Sequence, residues 1–188
     1  MWESGVKHVF THDTTVSLTA ATVLINSASA PDSLTTMDDL DALYDRWQWT
    51  GSRTHDQAEL DGVRALRGRL RAIWLAEEEV AVAQLNELLR EGRALPQLVK
   101  HDDFDYHIHA TSPQAGLATR MMVEYAMALV DVVRAGAFDR LRSCADPSCD
   151  NVIIDLSKNR SRRFCDAGCG NRANVAAYRA RKSRHLEE

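Results

Sequence analysis

Apolar residues recur at helical spacing through most of the first 135 positions. In TTVSLTAATVLINSA they fall at Val16, Ala20, Val23 and Leu24, one face of a 3.6-residue period. TMDDLDALYDRW opens with Thr36 and Asp39 three apart, the layout of a capping box, and then repeats Leu40, Leu43, Tyr44 and Trp47. Gly51 is the expected stop. THDQAELDGVRALRGRLRAIW has Thr54 and Gln57 in the same relation and carries Leu60, Val63, Leu66, Leu70, Ile73 and Trp74 on one stripe. After the acids Glu77 to Glu79, VAVAQLNELLREG predicts a further helix ending at its glycine.

The pattern then changes. Pro96 interrupts the helical period, and PQLVKHDDFDYHIHAT alternates as a short hairpin over residues 97–110. Ser112 followed by Pro113 reads as a cap and a first helical position. The next helix runs to Gly136 with Leu117, Met121, Tyr125, Leu129 and Val132 as its core stripe. The expected fold class is mainly α with a small antiparallel β hairpin. No repeat or low-complexity linker follows, so the remaining tail is expected to pack on this last helix.

Charge divides the chain. Residues 1–133 hold 11 Lys+Arg against 20 Asp+Glu, and residues 134–188 hold 12 against 7. An acidic body with a basic tail points to a polyanionic partner. No apolar run approaches the roughly 20 residues of a membrane span. The start, MWESGVKHVF, lacks the charged-then-apolar layout of a signal peptide. A cytoplasmic protein without a membrane partner is expected.

All four cysteines lie in the basic tail: Cys144 and Cys149, then Cys165 and Cys169, with 15 residues between the pairs. Two close pairs joined by a short span suit one tetrahedral metal ion, each pair gripping it from a turn. VIIDLS, the polar turn KNRS and RRF read as a hairpin leading into the second pair. GNRANVAAYRARK reads as a helix with Cys165 and Cys169 at or in its first turn. A strand hairpin and a helix around one zinc resemble a treble-clef finger. Two disulfides, a Cys165–Cys169 redox pair and an iron–sulfur cluster also fit the count. The tight pairing and basic flanks favour Zn2+. Four thiolates on a divalent cation leave excess negative charge, which a nearby arginine offsets.

The stretch CADPSCDNVIIDLSKNRSRRFCDAGCGNRANVAAYRARK, residues 144–182, resembles the CGNR zinc-finger family. It shares the two cysteine pairs, Asp155 and Ser157 ahead of a basic turn, Arg162–Arg163 before Cys165, and the literal Cys169-Gly170-Asn171-Arg172. The second pair has three intervening residues where the family more often has four, a departure that concerns the local turn. By its position before the finger, the N-terminal part resembles the helical ABATE domain of stress-induced transcription regulators. The resemblance implies a helical domain over residues 1–137, a zinc finger over residues 138–188, and a bacterial DNA-binding regulator.

The residues support a nucleic-acid partner on physical grounds. Residues 158–185 contain nine Lys or Arg and one acid, Asp166; cations placed on phosphates release counterions, the main source of nonspecific affinity. Lys158, Arg160, Arg162 and Arg163 form a cluster at the hairpin turn. On the helix, Arg172, Arg179 and Lys182 lie on related faces beside Arg181, while Val175 and Tyr178 are expected to pack toward the finger. Asn171 and Asn174 offer amides to base edges, and Asn171 also suits a helix cap. One finger is small for a specific site, so a homodimer is in view.

Other chemistry is sparse. His101, His107 and His109 with Asp102, Asp103 and Asp105 read first as a solvated strand edge and second as a metal site. Trp47, Trp49, Met121, Met122 and Met127 read as core before ligand pocket. No phosphate loop, nucleophile elbow or carboxylate pair is present, and no enzyme is expected. The leading expectation is a zinc-finger regulator of duplex DNA whose helical domain dimerises or senses a small-molecule effector. The alternative is an RNA-binding or protein-interaction zinc module.

Overall fold

The computed structural model describes residues 10–100 and 106–187. In chain order it has α1 (His12–Asn26), α2 (Met37–Arg46), α3 (Gln57–Leu75), α4 (Glu78–Glu91), β1 (Gln97–Val99), β2 (His107–His109), α5 (Leu117–Arg134), β3 (Leu141–Ser143), β4 (Val152–Ile154) and α6 (Cys169–Glu187). The strands form two antiparallel pairs, β1 with β2 and β3 with β4. The fold is mainly helical, as the apolar periodicity predicts.

Helix α5 is the centre of the body and packs against α1, α3 and α4. Its stripe Leu117, Met121, Tyr125, Leu129 and Val132 is buried, as is the α3 stripe from Leu60 to Trp74. Burying large apolar side chains contributes about 1.5–3 kcal/mol each, so these two stripes dominate the body's stability. Gly92 closes α4 where its end meets α5; a Cβ there would lie 2.2 Å from a Val123 methyl.

Several local expectations are corrected. The capping box at Thr36 and Asp39 is present in full, but α3 is capped by Asp56, which accepts from the Glu59 amide at 2.8 Å, and not by Thr54. The Glu59 carboxylate accepts from the Thr54 amide and from Arg53, which pulls Thr54 out of the capping position. Helix α2 ends at Arg46, before Gly51. Helix α5 starts at Leu117 after Gly116, with no side-chain cap. Ser112 instead holds a turn by accepting from the Gln114 amide. On α1 the inward face is Thr14, Ser17, Leu18, Ala21, Leu24 and Ile25, with Ala20 also buried, and Val16 and Val23 are only half-buried. Polar residues turn inward because Thr14 donates to Asp131 at 2.8 Å and Ser17 to Glu124 at 3.1 Å. A pattern of apolar residues alone does not register these partners on α5.

The tail packs on α1 and α3 rather than on α5. Leu141, Val152 and Ile154 belong to the same buried cluster as the helices. Asn26 exchanges two hydrogen bonds with Val152, donating to its carbonyl at 2.9 Å and accepting from its amide at 2.8 Å. Trp74 Nε1 donates to the Ile153 carbonyl at 3.1 Å. Asn26→Ala leaves both Val152 groups without these partners, so a loss of about 2–4 kcal/mol is expected in urea unfolding. A loss under 0.5 kcal/mol would mean that the junction does not hold the tail.

Candidate metal centre

The first cysteine pair hangs on the β3–β4 hairpin. Cys144 follows β3, and its amide donates to the Asn151 carbonyl at 2.8 Å. Asp146 then accepts from the Ser148 amide and hydroxyl at 3.0 and 2.7 Å, a side-chain-closed turn. The turn brings Cys149 back, its amide on the Asp146 carbonyl at 2.9 Å. These bonds hold Asp146 ionised, with a pKa near 2, the Ser148 hydroxyl contributing most and Arg172 adding to it.

The expected hairpin from VIIDLS into RRF does not form. Strand β4 pairs with β3, which precedes it: Leu141 lies opposite Ile154 and Ser143 opposite Val152. The chain leaves the ladder at Asp155, a fully buried carboxylate that accepts from the Ser157 amide and hydroxyl and from the Arg162 amide. The polar loop wraps around this one side chain, which takes up the Ser157 and Arg162 amides.

The second pair is brought in by the Ala145 amide, which donates to the Arg163 carbonyl at 2.8 Å. A three-residue turn follows Cys165. Gly168 takes φ +77 there, a conformation in which a Cβ is unfavourable. Cys169 is the first residue of α6. The three-residue spacing is thus accommodated by a glycine turn at the helix start.

The four sulfurs lie within 4.8 Å of one another. Cys149 to Cys165 is 3.7 Å and Cys165 to Cys169 is 3.4 Å. Tetrahedral zinc with Zn–S near ~2.3 Å needs sulfurs about 3.8 Å apart, so the cluster fits a metal with little adjustment. A disulfide requires about 2.0 Å; all four cysteines are free thiols. Among the described residues this quartet is the only cluster of metal-ligating groups.

The thiols do not titrate alike. Burial opposes ionisation of Cys165, but the Ala167 amide, the Asn151 side chain and the neighbouring thiols outweigh it and bring its pKa down to about 7. Burial, and then the adjoining Cys165, Cys149 and Cys144, push Cys169 well above the usual thiol range. Burial also raises Cys149. Of these three thiols, Cys165 ionises most readily.

Arg172 joins the parts. Its Nη2 lies 2.9 Å from Cys169 Sγ and 3.1 Å from the Asp146 carboxylate, and its Nη1 donates to the Ala167 carbonyl at 3.0 Å. One guanidinium links the first cysteine turn to the helix that starts at the second, and lends positive charge to a sulfur. Asn151 Nδ2 points at Cys165 Sγ from 3.4 Å. Neither Asp146 nor Asn151 stands out in the sequence as a site residue. The Asp-x-Ser spacing at residues 146–148 is a legible turn signal, but its pairing with Arg172 is not.

The remaining basic positions lie in the loop after β4 and on α6. Lys158, Arg160 and Arg163 are exposed, and so are Asn171, Asn174, Arg179, Arg181 and Lys182. Arg160 pairs with Asp139 at 2.6 Å, and Arg162 makes a two-oxygen contact to Asp166 at 2.8 Å. Arg163 stands over the Phe164 ring. Val175 and Tyr178 do not pack toward the finger: they are 48% and 61% exposed. The finger's apolar cluster holds Ile153, with Phe164 packed against it, and α6 meets Phe164 at Gly170 rather than through Val175 or Tyr178.

His107 and His109 share one face of β2, with their Nε2 atoms 2.9 Å apart. His101, Asp102, Asp103 and Asp105 lie outside the described residues. Met121 and Met122 are core residues, and Trp47 and Met127 pack against the core. Trp49 also packs there but borders a cavity. No helix among the described residues is long and apolar enough to cross a membrane.

No curated protein matches the chain. Residues 140–182 match the CGNR zinc finger, the segment that contains all four thiols. Residues 18–136 match ABATE, described as "Putative stress-induced transcription regulator", which takes in the helices from α1 to α5. Neither description names an enzymatic activity. With its helical body and its four-thiol cluster each matched in the expected order, the chain belongs to the ABATE family and carries a CGNR zinc finger.

Proposed function

We propose that the protein is a cytoplasmic transcription regulator that binds duplex DNA through its finger, with Zn2+ held by Cys144, Cys149, Cys165 and Cys169. In this reading, residues 1–137 dimerise or sense an effector and residues 138–188 engage DNA. When bound, the metal supplies rigidity: four protein ligands close its coordination, so the site has no open position for catalysis.

The observation that carries the reading is the nine cations against one acid over residues 158–185, next to a cluster that fits a structural metal. Lys158, Arg160, Arg162 and Arg163 meet phosphates from the loop. Arg172, Arg179, Arg181 and Lys182 do so from α6, and Asn171 and Asn174 face bases. Arg160, Arg162 and Arg172 each have a carboxylate partner within the protein, which fixes their position ahead of contact. The exposed Val175 and Tyr178, one turn apart, favour a second reading in which α6 meets a protein surface or a second copy of this chain.

Elemental analysis is expected to find one zinc per chain. Metal needs thiolates, so protons compete with it. As the pH falls through about 7, Cys165 regains its proton, and zinc affinity is expected to drop more steeply than at higher pH. The zinc-loaded protein is expected to shift a duplex probe in low salt, and a chelator to abolish the shift. Duplex binding that survives complete removal of zinc would overturn the role given to the finger. Preference for RNA, or no nucleic-acid binding at all, would favour the interaction reading.

A further inference from the structure

We propose that the helical body holds a site for a small organic carboxylate, in the cavity between the β1–β2 hairpin and α5, with the Arg120 guanidinium recognising its charge. The inference rests on the effector-sensing reading of the body and names the chemical class of the effector.

The cavity measures about 820 Å³ and is bordered by Trp49, Leu95, Val99, Pro113, Arg120 and Glu124, among others. Small-molecule sites are typically ~300–1,000 Å³, mostly apolar, with a few convergent polar groups. Arg120 is such a group. It is only 5% exposed. Its Nη1 donates to the carbonyls of Ser52, Pro113 and Ala115 at 2.8, 3.1 and 2.7 Å. Its Nε and Nη2 have no hydrogen-bond partner. No carboxylate among the described residues forms an ion pair with it.

A buried cation without a counter-charge is costly, and arginine does not escape the cost by losing its proton. The same protein solves the problem elsewhere. Arg53, half-buried, has Asp41 and Glu59 at 2.8 Å each. Arg140 is also buried without an ion pair, but it is enclosed by the Asp155–Ser157 turn, to whose carbonyls it donates. Arg120 has no ion pair of its own, feels Glu59, already paired with Arg53, only through its charge, and borders a cavity.

The surroundings fit the guanidinium closely. Gly51 takes φ +93, and a Cβ there would lie 2.6 Å from the Pro113 carbonyl and 3.1 Å from the Arg120 guanidinium carbon. The backbone thus leaves room for the positive group at a position where any other residue intrudes. A carboxylate in the cavity brings the ion-pair charge that the guanidinium lacks; Nε and Nη2 are themselves closed to solvent, so the attraction acts through charge rather than through a new hydrogen bond. A monoanion fits better than a phosphate dianion, because Glu124 borders the same cavity. Glu124 accepts from Ser17 and is pushed by burial toward its neutral form, which lowers its opposition to one negative charge. The apolar borders, Trp49 foremost, take the ligand's hydrocarbon or aromatic part.

The test uses the zinc-loaded full chain labelled with 15N, titrated with matched carboxylates and amides: hexanoate and hexanamide, 4-phenylbutyrate and its amide, indole-3-propionate and its amide. At least one carboxylate is expected to move the Arg120 Nε–H and Trp49 indole resonances saturably. It should bind about tenfold or more tightly than its amide, since only the acid carries the charge that the buried guanidinium attracts. Ala115→Phe, which narrows the cavity and leaves Arg120 in place, should abolish the shifts while zinc content and Tm stay at wild-type values. Arg120→Gln should remove the preference for the acid over the amide. The proposal is overturned if no acid outbinds its amide, or if Ala115→Phe leaves binding unchanged. No DNA is present in this titration, so its failure is distinct from failure of duplex binding by the finger.

Discussion

Cys169→Ser is expected to leave the protein without retained zinc and with α6 melted, while the helical body stays folded. Cys169 is the most buried of the four thiols and the first residue of α6. Its sulfur neighbours Cys165 and meets the Arg172 guanidinium. Serine offers a poor ligand, and structural zinc contributes about 10–16 kcal/mol in finger peptides. Apart from the thiols, the finger's own cluster holds only Ile153 and Phe164, too little to replace that. Helix α6 has 19 residues, most of those described exposed, and helices without a packed face are marginal in water. Its far-UV helical signal should vanish. Strands β3 and β4 should persist, because Leu141, Val152 and Ile154 sit in the core of the body and Asn26 and Trp74 grip the backbone of β4. Circular dichroism and limited proteolysis check this: cleavage should begin after Ile154. Cooperative unfolding of the whole chain would show that metal and body are one folding unit.

Neutralising Arg163, Arg179, Arg181 and Lys182 together to glutamine is expected to reduce duplex affinity at every sequence. All four are exposed. Each phosphate contact contributes about 0.9 to the slope of log K against log salt. Losing four lowers the slope by about 3–4 units. Asn174→Ala, by contrast, should cost about 1–3 kcal/mol on a preferred site and little on random DNA. The body, net acidic over residues 1–133, is expected to repel DNA and to confine contact to the finger and α6. Fluorescence anisotropy of a labelled duplex at stepped salt concentrations measures both effects. A slope unchanged in the quadruple variant would place the contact surface elsewhere.

Much of the architecture is legible in the chain because its cause is local. The stripes of α3 and α5 follow the helical period, and both are buried as that period requires. Thr36 and Asp39 form their capping box within four residues. The cysteine spacing reflects the bite of a metal, and the four sulfurs do converge. Cap choice was legible only in part: Thr54 and Asp56 compete for one helix start, and the winner depends on where Arg53 and Glu59 meet.

What only the tertiary structure decided involves partners far apart in sequence. Strand β4 takes β3 as its neighbour because Asp155 turns the following loop back on itself and Asn26, 126 residues earlier, clamps Val152. Arg172 works at the metal cluster through Asp146, 26 residues away. The Arg120 cavity has no motif at all: it exists because Gly51, the turn after Ala110 and the end of α4 come together around one guanidinium. Period and spacing record which faces are buried and which groups share a turn. They do not record which buried polar group is left without a partner, since that depends on the distances between elements that the sequence lists separately.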